Sequence, residues 1–120
     1  MPRIVIAEDD DAMREFLSQA LMREGYEVTA VANGADALCA LQDEGQYDLL
    51  LADVKMPGVD GVSLARCVRR DKPGLPIVFV TGYVGEVLQE VRDNSRYDEV
   101  LPKPFQLNEL VEVVDRALSH

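Results

Sequence analysis

Five short aliphatic runs recur along the chain, each followed by a helical pattern: RIVIA (3–7), YEVTAV (26–31), DLLLA (48–52), PIVFV (76–80) and DEVL (98–101). This alternation constrains the fold more than any other feature. The runs are rich in β-branched and branched aliphatic residues and too short for helices, so they read as strands. Between them, apolar residues fall at helical spacing. Met13, Phe16, Leu17, Ala20 and Leu21 form one face of a helix that ends near Gly25, a C-terminal signal. Gly34 to Glu44 is a second helix with Ala37, Leu38 and Leu41 on one face. Val62 to Arg70 and Val84 to Arg92 are a third and fourth, and Leu107, Leu110, Val111, Val114 and Leu118 mark a fifth.

Five successive βα units predict an α/β fold whose parallel sheet is covered on both faces. Runs 1, 3 and 4 are almost purely apolar, as central strands should be, whereas YEVTAV is mixed and suits a flank. Right-handed crossovers then favour a doubly wound five-stranded sheet of order 2-1-3-4-5, a flavodoxin-like three-layer sandwich.

At 120 residues the chain is the size of one domain, expected to run from 1 to 120. Its apolar runs are too short to span a bilayer, and MPRIVIAEDD lacks the apolar core of a secretory signal. No membrane association is expected. Cys39 and Cys67 form no CxxC pair, and the one histidine is His120. The thiols read as reduced, buried small apolar residues of a cytoplasmic protein, and a His-based zinc site is disfavoured. A net charge of −10 repels a phosphate backbone, so no direct nucleic-acid binding is expected.

In open α/β sheets, sites form outside the carboxyl ends of the strands where strand order reverses, here between strands 1 and 3. Strand 1 ends in Glu8-Asp9-Asp10 and strand 3 in Asp53. At roughly 5 Å and an effective dielectric near 20, each pair of such carboxylates repels by about 3 kcal/mol. Either one acid stays protonated or a divalent cation sits among them. Hard carboxylate and carbonyl oxygens suit Mg²⁺. Thr81-Gly82 at the end of strand 4 offers a hydroxyl and room for a phosphoryl oxygen. Lys103, after strand 5, offers an ammonium, and Pro104 fixes the loop that aims it, a cis bond being one means.

Glu8-Asp9, Asp53 followed by MPGVDG, Thr81 and Lys103-Pro104 resemble the receiver domain of bacterial two-component response regulators, across the whole chain. The resemblance implies a phosphoryl group taken from the histidine of a sensor kinase or histidine phosphotransfer protein onto Asp53. It implies Mg²⁺ held by Asp9, Asp53 and the Lys55 carbonyl, with Glu8 acting through water, and Thr81 and Lys103 on the phosphoryl oxygens. Counting back from Met13-Arg14, the family pattern selects Glu8 and Asp9 as the acid pair; Asp10 is then peripheral, and Asp11 caps the first helix. Three residues before the lysine the family usually carries an aromatic switch residue; here Val100 stands there. Lys55 and Tyr83 are expected to line the approach of water and tune dephosphorylation.

Singly, each of these residues has a plain structural reading: the acidic run as helix capping, Asp53 and Thr81-Gly82 as turns, Lys103 as a solvated charge and Pro104 as a helix start. Jointly they outweigh it, since each type stands at its own strand's carboxyl end. A dinucleotide-binding domain would need GxGxxG where EDDDAM stands. The enzyme rival is a Mg²⁺-dependent aspartyl-phosphate phosphohydrolase, but that class resembles DxD and position +2 is Lys55. With no effector domain after residue 120, output is expected through helix 4, strand 5 and helix 5 to a protein target, as a monomer or a weak phosphorylation-dependent dimer; a receiver cut from a larger regulator is the other reading. AEDDDAMREFL, GYEV, FVTGY and KPFQLNELV further resemble single-domain regulators of the CpdR type, adaptors that bring substrates to the ClpXP protease. A relay intermediate fits nearly as well.

Overall fold

The computed structural model describes residues 1–42, 46–93 and 98–119. Five parallel strands, β1 (Arg3–Ala7), β2 (Glu27–Val31), β3 (Leu49–Asp53), β4 (Ile77–Thr81) and β5 (Asp98–Pro102), form one sheet of order β2-β1-β3-β4-β5. Five α-helices connect and cover it: α1 (Asp11–Arg23), α2 (Gly34–Gln42), α3 (Gly61–Asp71), α4 (Leu88–Asp93) and α5 (Leu107–Leu118). Every residue of β3 and β4 is buried, whereas no residue of the edge strand β2 is more than half-buried. This is the lateral gradient that the apolar runs encode: a fully buried Leu, Ile or Phe contributes roughly 1.5–3 kcal/mol, and only central strands bury both faces.

Successive strand residues face opposite sides, which divides the core in two. Val5, Leu50, Ala52, Ile77 and Phe79 pack with Ala37 and Leu41 of α2, Leu64, Ala65 and Val68 of α3, and Val87. Ile4, Ile6, Leu49, Leu51, Val78 and Val80 pack with Leu17 and Leu21 of α1 and with Leu110, Val113, Val114 and Ala117 of α5.

Local signals terminate the elements. Gly25, at φ +92°, closes α1: its N–H donates to the Met22 carbonyl at 3.0 Å, and the Tyr26 N–H to that of Leu21 at 3.2 Å. That left-handed residue with two back-donating amides satisfies carbonyls the helix end would orphan. Asp60 caps α3 by accepting from the Ser63 N–H at 2.8 Å.

Several expectations need correction. The cap of α1 is Asp10, whose Oδ1 accepts from the Met13 N–H at 2.8 Å; Asp11 is already the first helical residue. Strands 3 and 4 begin and end one residue later than the runs 48–52 and 76–80, and Asp53 and Thr81, expected at the strand ends, are their last residues. The predicted helix over 84–92 is broken: Val84–Glu86 is a single 3₁₀ turn, Val87 drops into the core, and α4 begins only at Leu88. Gly85 and two β-branched valines are weak helix formers, and burial of Val87 decides the path. Cys39 is exposed and Cys67 half-buried rather than buried, because the inward face of α2 is set by Ala37 and Leu41 and that of α3 by Leu64, Ala65 and Val68. Phe16 and Leu107, expected on core faces, are exposed. The predicted end of α2 at Glu44 lies outside the described residues, as does His120. Among the described residues, no helix is long and apolar enough to cross a membrane.

Candidate functional site

Because β1 and β3 are neighbours, in register from Ile4 with Leu49 to Ala7 with Ala52, their carboxyl ends bring acids together at one edge. Glu8 follows β1 directly and is buried; Asp53 ends β3 and is also buried; Asp9 is exposed. One carboxylate oxygen from each of the three lies within 4.8 Å of the others. The main chain that carries them is pinned. The Glu8 N–H donates to the Val31 carbonyl at 3.0 Å, and the Arg14 guanidinium donates to the Glu8 carbonyl at 2.9 Å. Arg14 is a positioning residue that local patterning did not suggest.

From the far side comes Lys103. Its main-chain N–H donates to the Thr81 carbonyl at 2.8 Å, extending the β4–β5 ladder, and the Lys103–Pro104 peptide is cis. The ammonium Nζ stands 3.3 Å from Asp53 Oδ1 and 4.0 Å from Glu8 Oε1. Glu8 Oε2 accepts from the Asp10 N–H at 3.1 Å, while the buried Oε1 has no hydrogen-bond partner among the described residues. Burial pushes the Glu8 carboxyl up to about 7; the Asp10 amide opposes this, the Asp53 charge adds to it, and Lys103 opposes it again. Burial and the Asp53 charge thus both favour the neutral form of Glu8, one of the two remedies open to such a cluster.

Thr81 is buried at the end of β4, and its hydroxyl is engaged by the next loop: Oγ1 lies 3.1 Å from the Tyr83 carbonyl, to which it donates, and 3.1 Å from the Tyr83 N–H, from which it accepts. Tyr83 itself is 67% exposed, its ring lying against Gly85. Gly82 has open space around it: an added Cβ would meet no atom within 4 Å. Lys55, two residues past Asp53, is exposed and pairs with Glu86 of the 3₁₀ turn at 3.2 Å, a partner the sequence did not reveal. Val100 is half-buried, opposite Phe79 in the sheet and packed on the α2–α3 side of the core. Asp10 is exposed.

The loop behind Asp53 is held by close approach. Gly58 sits at φ +78°. Gly61 opens α3, its N–H donating to the Val54 carbonyl at 2.9 Å, and a Cβ there would fall 2.5 Å from the Asp53 carbonyl oxygen. Glycine at 61 thus lets α3 start directly against the strand end that carries Asp53.

Comparison with known proteins agrees with this geometry. A family model described as "Response regulator receiver domain" matches residues 4–115, and the chain belongs to that family of two-component signalling. It is 45% identical over 118 residues to the response regulator receiver protein CpdR of Brucella abortus, covering 98% of each chain. Among solved structures it superimposes on the Vibrio cholerae chemotaxis protein CheY4 with a TM-score of 0.89 at 28% identity, covering 98% of both chains. It matches the response regulator TrrA of Thermotoga maritima, solved in complex with Mg²⁺–BeF, with a TM-score of 0.85 at 33% identity, covering 98% of this chain and 99% of that one.

Proposed function

We propose that residues 1–120 act as one receiver domain that accepts a phosphoryl group on Asp53 from the phosphohistidine of a sensor kinase or histidine phosphotransfer protein in the cytoplasm. The observation that carries this is the approach of Lys103 to Asp53, beside the Glu8 and Asp9 carboxylates. An Asp53 oxygen attacks phosphorus in line, the P–N bond to the donor imidazole breaks, and the imidazole leaves with that electron pair. Lys103 offsets charge on the transferring oxygens and orients Asp53. The Thr81 hydroxyl exchanges its present contact with the Tyr83 carbonyl for a phosphoryl oxygen, which couples the acceptor to the loop ahead of α4.

The donor set fits Mg²⁺: clustered hard oxygens, one of them buried on Glu8 with no hydrogen bond among the described residues. Asp9, Asp53 and the Lys55 carbonyl would hold the ion, with Glu8 through water; when bound it supplies positive charge to the phosphoryl oxygens. TrrA, solved with Mg²⁺–BeF, supports this assignment. Lys55 stands where a phosphohydrolase of this chemistry would carry its acid, which favours a signalling receiver over an enzyme. Lys55 and Tyr83 tune the lifetime of the acyl phosphate; an unchanged dephosphorylation rate in both alanine variants would discard that role.

Output runs through α4, β5 and α5 to a protein target. With Val100 at the position of the usual aromatic, movement of α4 as a unit replaces a rotamer switch. Likeness to CpdR favours a protease adaptor as the output; a pulldown with and without beryllofluoride separates it from a relay, which would instead capture a histidine phosphotransfer protein. The primary test is incubation with acetyl phosphate and Mg²⁺. Wild type should gain one acid-stable, base-labile phosphoryl group by mass and Asp53→Asn none; equal labelling of both would remove Asp53 from the role.

A further inference from the structure

Helix α4 is attached to the body by a thin apolar contact and a cluster of charges. None of its residues Leu88–Asp93 is fully buried; Val91 packs half-buried on the core, and the buried Val87 lies just ahead of the helix. Glu90 accepts from Arg66 Nε at 2.7 Å and from Arg69 Nη1 at 2.8 Å, both on α3. The second Arg69 nitrogen, Nη2, holds Asp98 Oδ2 at the start of β5. Side-chain exposure is 16% for Arg69, 13% for Glu90 and 0% for Asp98, so one largely buried guanidinium is shared between the helix and the sheet. The other Asp98 oxygen, Oδ1, is buried with no hydrogen-bond partner among the described residues.

That orphan oxygen defines a second seat for the cation. A guanidinium presents a planar fork that matches a carboxylate with two parallel hydrogen bonds. Turned fully onto Asp98, Arg69 would satisfy Oδ1 and give up Glu90, leaving that carboxylate to the more exposed Arg66, which is 66% exposed. We propose that Arg69 is a two-position latch, split between Glu90 and Asp98 when α4 is docked and seated on Asp98 alone when α4 is released. Its regulatory meaning rests on the reading of α4 as part of the output face, where it supplies a bistable element next to Val100.

Hydrogen–deuterium exchange of the amides over 84–93 in the full chain, without phosphodonor, tests the latch. In Glu90→Gln the exchange of this segment rises about tenfold or more, the loss expected for a charged hydrogen bond, while β3 and β4 are unchanged. Asp98→Asn removes the second seat, so exchange of the same segment stays at or below the wild-type rate. Equal rises in both variants, or no rise in Glu90→Gln, overturn the proposal. Should Asp98→Asn not fold, Arg69→Lys replaces it: an ammonium lacks the fork, so exchange over 84–93 must rise, and an unchanged rate overturns the latch. With Mg²⁺ and beryllofluoride, wild type should loosen over 84–93 and Asp98→Asn should not. Bound beryllofluoride with no loosening overturns the regulatory role, whereas failure of beryllofluoride to bind overturns the Asp53 reading and leaves the latch to be judged by the exchange rates without it.

Discussion

Consider alanine in place of Gly61. The new Cβ would lie 2.5 Å from the Asp53 carbonyl oxygen, 2.8 Å from the Val54 Cα and 3.0 Å from the Asp53 carbonyl carbon, all main-chain atoms of the strand end that presents Asp53. Even a close C–H···O contact needs about 3.3 Å, so strand and helix must separate by about 0.8 Å. Relief also stretches the hydrogen bond from the Gly61 N–H to the Val54 carbonyl. Overpacking of this kind costs about 1–3 kcal/mol and a weakened hydrogen bond about 0.5–1.5, against a gain of about 0.5–1 from the lower chain entropy of alanine. The net is a loss of about 0.5–4 kcal/mol, centred near 2, or roughly 8 °C in Tm at that centre for a domain of this size. Asp53 moves with its main chain, and a displacement near 1 Å costs on the order of a hundredfold in a positioned reaction, so labelling by acetyl phosphate should slow by about that factor. Gly74→Ala is the control: its Cβ meets nothing within 4 Å, and the variant should be neutral or up to about 1 kcal/mol more stable. Urea unfolding of both variants decides it. A Gly61→Ala protein within about 0.5 kcal/mol of wild type refutes the claim that close approach at residue 61 seats Asp53.

Three further outcomes are expected. Glu8 has its folded pKa raised from 4.5 to about 7, so its contribution to stability is complete below pH 4.5 and is lost as pH rises through 7. In chelator, wild type should therefore lose about 3 kcal/mol more than Glu8→Gln between pH 4.5 and 8; parallel pH curves would contradict this. Lys103→Met leaves the Glu8 and Asp53 carboxylates without their cation and should cost about 1–2 kcal/mol in chelator, discounted for partial solvent screening, with recovery when Mg²⁺ is added; calorimetry with and without Mg²⁺ checks it. Gly25→Ala forces a Cβ into φ +92° at the end of α1 and should cost about 1 kcal/mol in urea unfolding, with labelling at Asp53 unaffected.

Most of the architecture was legible because buried parallel strands write themselves as unbroken aliphatic runs. LLLA and IVFV could lie only at the centre of the sheet, and the mixed run EVTAV only at its edge. What misled was periodicity without geometry. Val84, Val87, Leu88 and Val91 fit helical spacing, yet the chain takes a 3₁₀ turn there so that Val87 reaches the core. Cys39 looked apolar enough to bury, but the face of α2 was already set by Ala37 and Leu41.

The residue types at the strand tips followed from chain order alone: alternating strands and helices with right-handed crossovers bring the ends of β1, β3, β4 and β5 to one edge, whatever the loops do. The acids Glu8, Asp9 and Asp10, with Asp53, Thr81 and Lys103, were for that reason nameable before any coordinates, and the resemblance to receiver domains then singled out Glu8 and Asp9. Pairing and protonation were decided only by the tertiary structure. That Lys103 reaches Asp53, that a buried Glu8 oxygen has no hydrogen bond among the described residues, and that Arg69 joins residues 21 and 29 positions away depend on through-space distance and loss of water. Charge interactions and desolvation act across space rather than along the chain, so no local pattern of residues can specify them.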